Sequence, residues 1–450
     1  MKELLRNFKI ADAQKPGKPD LWVMGMIVVV GLFSRLLFLG SFPANLMCDE
    51  ADTTSIVYLI GAGFGPPFFG LNWNSAPAVF NYMIIGSMKI FGDNIFAIRF
   101  PSALISVGTL VVFYTILRRW FQIIPSIAAT VMLTFSYCFL NFSRSGWENI
   151  QFLLPGLLAF SFIEQTLEKS KWNRWILSGV FIGLTAYGYH TGKIFALTLV
   201  LYLGIMIIFN FRWKDALKLA VCILVSFIIF APQLKTALST EGTVRIKQVY
   251  AFSEDGLHGE SLSEKIKEQA IKTLGMINVT GSNNQRYNLP GEPQVDRIVG
   301  IIFLIGLALT IFNLKKSLFW ILSLVSSGLV VFFSDRPPDA ARGVGMLPSI
   351  YFLVALAFQV AYNYRKYIEL TSTMVLIAAI GSVAWSSHIY VKWISHENTL
   401  FARNPAVKLE EYSEWSKKLK EYRKRNAFFS VGSWRLYKDE GIPLPKFPGI

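Results

Sequence analysis

The stretch "CDEADTTSIVYLI", residues 48–60, sets Asp49 and Glu50 side by side with Asp52 close behind, just after a long apolar run. A carboxylate at a membrane interface can take a proton from an attacking hydroxyl, work that needs an ionised acid within hydrogen-bond reach of the nucleophile. A second acid beside it can orient the acceptor or hold a divalent cation. Ordinary helix chemistry also explains the acids: Asp49 as an N-cap, with Glu50 and Asp52 favoured in the first turn by the helix dipole. The two readings are compatible, because a cap fixes the acid where a base is needed.

An acid acting as base calls for cations that hold an anionic leaving group on the same face. Arg144 in "NFSRSGWENIQ", Lys193 in "GYHTGKIF", and Arg336 and Arg342 in "SDRPPDAARGVG" are the candidates. Arginine clamps a phosphate in bidentate fashion, and lysine attracts it as a point charge. Each also has a plain explanation: Lys193 can snorkel to the interface, and Arg336 can pair with Asp335 or Asp339. The histidines, His190, His258, His388 and His396, lack the spacing of a zinc site. His190 alone adjoins a candidate, Lys193.

These residues must be positioned by membrane helices. Of 450 residues, 53% are hydrophobic and 15% aromatic, and the mean hydropathy is +0.43, which describes a polytopic membrane protein. Apolar runs fall near 21–40, 96–117, 123–141, 150–166, 175–190, 193–211, 216–231, 298–313, 317–333, 346–362 and 370–391, so about eleven transmembrane helices are expected. The first run contains Arg35 and no small-residue cleavage site follows, so it reads as a span and not as a signal peptide. The net charge of +15 lies between apolar runs, where it suits anionic lipid and topology better than nucleic acid. Three cysteines, Cys48, Cys138 and Cys222, outline no disulfide framework.

Cations beside short loops stay cytoplasmic. Lys2, Arg6, Lys9, Lys15 and Lys18 precede the first run, and alternate connections carry Arg118/Arg119, Lys169/Lys171/Arg174, Arg212/Lys214, Lys315/Lys316 and Arg365/Lys366. The opposite, extracytoplasmic side then receives a first outer loop at 41–95, the turns at Arg144 and His190, a long outer loop at 232–297, and the "SDRPPDAARG" turn. Within the first loop, 50–62 and 78–91 read as helices lying on the membrane surface. The long loop promises a helix near 261–275 and then a polar stretch suited to a lid or to acceptor recognition. Residues 1–391 form the transmembrane catalytic domain, and 392–450 a small extramembrane tail with an amphipathic helix near 405–425.

In the order of these features the chain resembles the GT-C fold, polyprenyl-phosphate-sugar-dependent glycosyltransferases, in particular glycosyltransferase family 39, which holds protein O-mannosyltransferases and is similar to the aminoarabinose transferase of lipid A. The resemblance rests on "CDEADTTSIVYLI", on "APAVFNYMIIGSMKIFG" followed by "FAIRFPSAL", on "SRSGWENIQFLLPGLLAF", on "GLTAYGYHTGKIF" and on "PPDAARGVGMLP", across most of residues 20–362. It implies an all-α integral membrane hexosyl- or pentosyltransferase of the plasma (inner) membrane, working on the extracytoplasmic side in protein glycosylation or cell-envelope assembly. The implied donor is a polyprenyl-phosphate-linked sugar and the implied acceptor a protein, lipid or glycan hydroxyl, with membrane lipids as surroundings and no nucleic acid as partner. Asp49 then matches the first-loop acid, the base, with Glu50 its neighbour; Glu148 matches a second-loop acid and Lys193 a cation near the lipid phosphate. The lipid A enzymes carry Lys-Pro-Pro in the first loop, where this chain has "NSAPAVF". No cofactor is required by the motifs, and a divalent cation is the option that the acids leave open.

No Walker loop, dinucleotide fingerprint or Gly-x-Ser-x-Gly elbow is present, which removes ATP-driven transport and serine hydrolysis. The rival readings are a lipid or solute transporter, which would show internal repeats and ionisable residues inside its spans, and a polymerase or ligase using a lipid-diphosphate donor.

Overall fold

The computed structural model describes residues 17–43, 45–61, 79–209, 213–237, 250–257, 261–364 and 370–395. Among them the chain is almost wholly helical, with an isolated antiparallel bridge between Tyr250 and Ser334. The main helices are α1 (Lys18–Leu36), α2 (Cys48–Gly61), α3 (Val79–Phe91), α4 (Ile95–Trp120), α5 (Ile123–Phe135), α6 (Tyr137–Ser143), α7 (Leu153–Glu168), α8 (Trp172–Thr185), α9 (His190–Phe209), α10 (Trp213–Ala237), α11 (Leu262–Asn278), α12 (Arg297–Leu309), α13 (Leu314–Phe332), α14 (Leu347–Asn363) and α15 (Thr371–Ile394).

Each of the apolar runs holds a helix, but crossing length is a stricter test. Among the described residues seven helical segments are long and apolar enough to cross a membrane, or eight if α5 and α6, bent by 60° at Ser136, form one span. Helices α7 and α8, 16 and 14 residues long, fall short of a full crossing. "GYHTGK" does divide two helices, with α8 ending at Thr185 and α9 starting at His190. The tail 396–450, His258 and His396 lie outside the described residues.

Helix starts follow local rules. Pro19, Pro125, Pro155 and Pro348 stand in first turns, where the missing N–H would be unpaired anyway. Asn94 caps α4 by accepting from the Ala97 N–H at 2.9 Å, and Ser261 and Glu264 form a capping box on α11. Asp296 caps α12 through the Ile298 and Val299 N–H groups at 3.1 and 3.0 Å, and its other oxygen accepts from Ser382 and Ser386 on α15. This buried carboxylate therefore ties two helices together. Asp296→Ala is expected to cost about 2–3 kcal/mol, since it removes a cap and orphans two buried hydroxyls. A thermal unfolding midpoint in detergent equal to that of wild type would refute it.

The core surrounds α14, buried without interruption from Leu347 to Val360. Rings fill the space beside it: Phe160 stacks on Phe319 at 4.1 Å and Trp320 on Phe352 at 4.5 Å between centroids. Helices α8 and α10 approach so closely that a Cβ on Gly183 would stand 2.8 Å from that of Ile229.

The chain order sorts helix ends into two sets. One end gathers the cationic connections, where Arg118 pairs with Asp20 at 2.5 Å, Arg119 with Glu168 at 2.5 Å, and Lys218 with Asp215 at 3.3 Å. The opposite end gathers α2, the start of α4, the 144–152 turn, the start of α9, the loop before α12 and the turn before α14. That end carries Asp49, Glu50 and Glu148.

Candidate active site

Glu50 fixes the ground plan. Its carboxylate, with no exposure, takes a bidentate ion pair from Arg99 (2.9 and 3.1 Å) and accepts from the Met47 and Gly146 N–H groups at 3.0 and 2.7 Å. Arg99 also donates to the carbonyls of Leu39, Pro43 and Asn45 at 3.1, 2.8 and 2.7 Å. Thus "CDEAD" and "FAIRFPSAL", the most telling stretches of the sequence, lock to one another and to the 144–152 turn. Gly146 has to lack a side chain here, because a Cβ would stand 2.4 Å from Ile98 Cγ2. Glu50, expected as a catalytic residue, is buried and engaged on both oxygens.

That neighbour, Asp49, is half-buried in the first turn of α2. Its Oδ2 accepts from the Tyr287 hydroxyl at 2.8 Å, and the Tyr287 ring stacks on Trp147, centroids 5.4 Å apart at 16°. The Thr53 hydroxyl lies 2.9 Å from the Asp49 carbonyl oxygen and 3.1 Å from Glu148 Oε2, bringing the second-loop acid alongside. Burial raises the Asp49 carboxyl above its ordinary value; Asp339 and Glu50 push the same way, while Tyr287 and Arg286 hold it down. Burial likewise pushes Glu148 up to about 7, helped by Asp49 and Asp52. The site therefore holds two acids whose carboxyls both lie above their ordinary values, as groups that move protons often do.

The cations divide. Arg144 is buried, and its terminal nitrogens donate to the carbonyls of Ser34, Arg35, Leu37 and Phe42 at 2.6–2.9 Å. It caps the carbonyl end of α1, which engages both of its terminal nitrogens. Arg336 is 90% exposed and lies 3.5 Å from Asp335, a surface pair in place of the expected substrate clamp. Arg342 stays at the site, held by Asp335 at 3.0 Å and Asp339 at 3.5 Å. Asp339 in turn accepts from the Ala341 and Arg342 N–H groups, and burial raises its carboxyl. The turn is tethered by Asn149 to the Ala341 carbonyl at 3.1 Å and by Gln294 to the Gly343 carbonyl at 2.7 Å.

His190 and Lys193 stand one turn apart at the start of α9. The His190 ring meets Tyr189 edge-on at 5.0 Å, and Tyr189 meets Trp147 at 5.4 Å, so an aromatic chain runs from Asp49 through Tyr287, Trp147 and Tyr189 to this helix start. Lys193 is half-buried, and the Thr191 hydroxyl beside it is buried without a partner in the described structure. A hydroxyl and an ammonium at a helix N-terminus suit an anion. Among the described residues no group of three His, Cys, Asp or Glu side chains is placed to hold a metal ion.

Tyr287 and Arg286 were not singled out by the sequence. They lie in "SNNQRYNLPGEP", 238 positions from Asp49 in the case of Tyr287, and no local pattern links the two.

No curated protein matches the chain in sequence. Residues 75–235 match the family described as dolichyl-phosphate-mannose-protein mannosyltransferase. That segment contains Arg99, Arg144, Glu148, His190 and Lys193, whereas Asp49, Tyr287 and Arg342 fall outside it. In structure the chain is similar to apo ArnT from Cupriavidus metallidurans, at 13% identity and a TM-score of 0.52, over 86% of this chain and 77% of that one. It is also similar to the Archaeoglobus fulgidus oligosaccharyltransferase tethered with an acceptor peptide, at 11% identity and a TM-score of 0.53, over 89% of this chain and 59% of that one. The chain is an integral membrane protein with the GT-C fold.

Proposed function

We propose that this membrane glycosyltransferase of GT-C fold moves a sugar from a polyprenyl-phosphate carrier to an acceptor hydroxyl, with Asp49 as general base and Glu50 as its anchor. The observation that carries this reading is the Asp49 carboxylate itself: half-buried, raised by its surroundings, and already receiving a hydroxyl at 2.8 Å. In the reaction the acceptor oxygen bonds to the anomeric carbon from the face opposite the phosphate. The bond from that carbon to the phosphate oxygen breaks, Asp49 takes the hydroxyl proton, and polyprenyl phosphate leaves, so the anomeric configuration inverts. Lys193, Thr191 and His190 receive the phosphate at the start of α9. Arg342, neutralised by two carboxylates, orients the Asp339 turn beside the acids. The cationic connections at the other end of the bundle support an active site on the extracytoplasmic face of the plasma membrane.

The test is transfer of labelled sugar from a panel of polyprenyl-phosphate sugars by the purified protein in nanodiscs, with protein, lipid and glycan acceptors. If no donor binds or turns over, the reading falls. Lys193→Ala is expected to weaken donor binding about 10- to 100-fold, the worth of one charge-assisted hydrogen bond. Free polyprenyl phosphate should compete with donor for wild type and lose most of its effect on the variant; equal competition would remove Lys193 from the phosphate site.

A further inference from the structure

Tyr287 reaches Asp49 from a segment built to deliver it. Residues 279–296 fold back on themselves, with Gly281 N–H on the Gly291 carbonyl and Gln294 N–H on the Met276 carbonyl. Trp393 of α15 donates its indole N–H to the Gln285 carbonyl at 2.9 Å, and Asn141 of α6 its amide to the Tyr287 carbonyl at 3.4 Å. The backbone is pinned on both sides while the side chain reaches inward over Trp147. There its hydroxyl lies 2.8 Å from Asp49 Oδ2, inside the 2.6–3.2 Å window that a nucleophile must occupy against its base. A phenol donating to this carboxylate makes the bond that an acceptor hydroxyl would make. Burial and the Asp49 charge keep the proton on this phenol, raising its ionisation well above the ordinary phenol value.

We propose that the Tyr287 hydroxyl stands in for the acceptor hydroxyl, and that an arriving acceptor displaces it, so that acceptor binding and unmasking of the base are one event. The inference rests on Asp49 being the base. It gives the outer segment a function: without acceptor, Tyr287 keeps water from the position in which Asp49 would activate it. Were water admitted, its oxygen would bond to the anomeric carbon, its proton would pass to Asp49, polyprenyl phosphate would leave, and the donor would be wasted. Displacement uncovers the Trp147 face for the acceptor, since the two rings now cover one another.

Two measurements test this on wild type, Tyr287→Phe and Tyr287→Ala. The phenylalanine variant keeps the ring on Trp147 and removes only the hydroxyl. First, without donor, carbodiimide-driven labelling of carboxyls is followed by peptide mass spectrometry. Asp49 is expected to label about tenfold faster in both variants, the equivalent of one lost hydrogen bond to a charged group, with buried Glu50 as the internal reference. Equal rates in the three proteins would overturn the proposal, whether or not a donor is in hand. Second, with donor, the ratio of donor hydrolysis to transfer is expected to rise about tenfold and the acceptor KM to fall, because no hydroxyl has to be displaced.

The acid limb of kcat/KM should also move up by about one pH unit, since the lost hydrogen bond favoured the charged form of Asp49. The other charged groups around that carboxyl stay in place: Glu50 and Asp52 on its helix, Glu148 across Thr53, Arg286 on the outer segment, and Asp339 on the turn. A purely structural loss would lower transfer at every pH, leave the limb and the hydrolysis ratio unmoved, and sink the proposal. If wild type handles no polyprenyl-phosphate sugar, the transferase reading fails by that result, and the labelling still decides whether Tyr287 covers Asp49.

Discussion

Arg99→Leu will destabilise the protein by about 3–5 kcal/mol, the cost of stripping one partner from a buried ion pair. Glu50 would keep its two backbone donors but lose both bonds from the guanidinium, leaving a carboxylate with no exposure stripped of its bidentate partner. Three carbonyls between α1 and α2 would lose their donor in the same stroke, so the 37–47 turn should loosen as well. Glu50→Gln spares the fold more, because an amide oxygen can still accept, but it leaves Arg99 unbalanced. The thermal midpoint in detergent, read by size-exclusion recovery, should fall steeply for Arg99→Leu and less for Glu50→Gln. Joining Glu50→Leu to Arg99→Leu should recover part of the loss, since two apolar groups cost less than one orphaned charge. A wild-type midpoint for Arg99→Leu would show that the lock does not hold this end of the bundle together.

The helices were legible because hydropathy is a local property. A run of apolar residues long enough for a bilayer announces itself without knowledge of its neighbours, and a cap such as Asp296 marks where one begins. Whether a run crosses is less local. The α5–α6 bend at Ser136 and the short α7 and α8 are set by packing against other helices, so a count of about eleven spans does not follow from counting runs.

What the sequence leaves open at the site is how its charged side chains pair. Sequence gives the type of a side chain and the end of the bundle where it sits, but not its partner. Asp49 and Glu50 look alike on paper; Arg99, 49 positions from Glu50, pairs with one and not with the other. Arg144 has the charge of a phosphate clamp, and its guanidinium is occupied by the carbonyls that end α1. Tyr287 carries no charge and lies in a polar loop, so nothing in its own neighbourhood announced it. The "NSAPA" part of the first-loop stretch lies outside the described residues.

Asp49→Asn is expected to lower kcat for sugar transfer about 10²- to 10⁴-fold, the range for loss of a positioned general base. Asparagine keeps the shape and an oxygen for the Tyr287 hydroxyl, so the fold and donor affinity should survive. Retained donor binding is what separates a lost base from a collapsed site. The pH profile supplies a second check on wild type. A base acts only when ionised, so transfer must fail as the pH drops through the Asp49 value; because burial, Asp339 and Glu50 raise that value, the acid limb should lie above the range of an ordinary aspartate. Paired with Glu50→Gln, the experiment tells two adjacent carboxylates apart by opposite signatures. Loss of rate with an intact thermal midpoint marks the base, and loss of midpoint with a residual rate proportional to folded protein marks the anchor. If Asp49→Asn transfers sugar at the wild-type rate, the base lies elsewhere, and Glu148, pushed up to about 7 and linked to α2 through Thr53, is the acid to replace next.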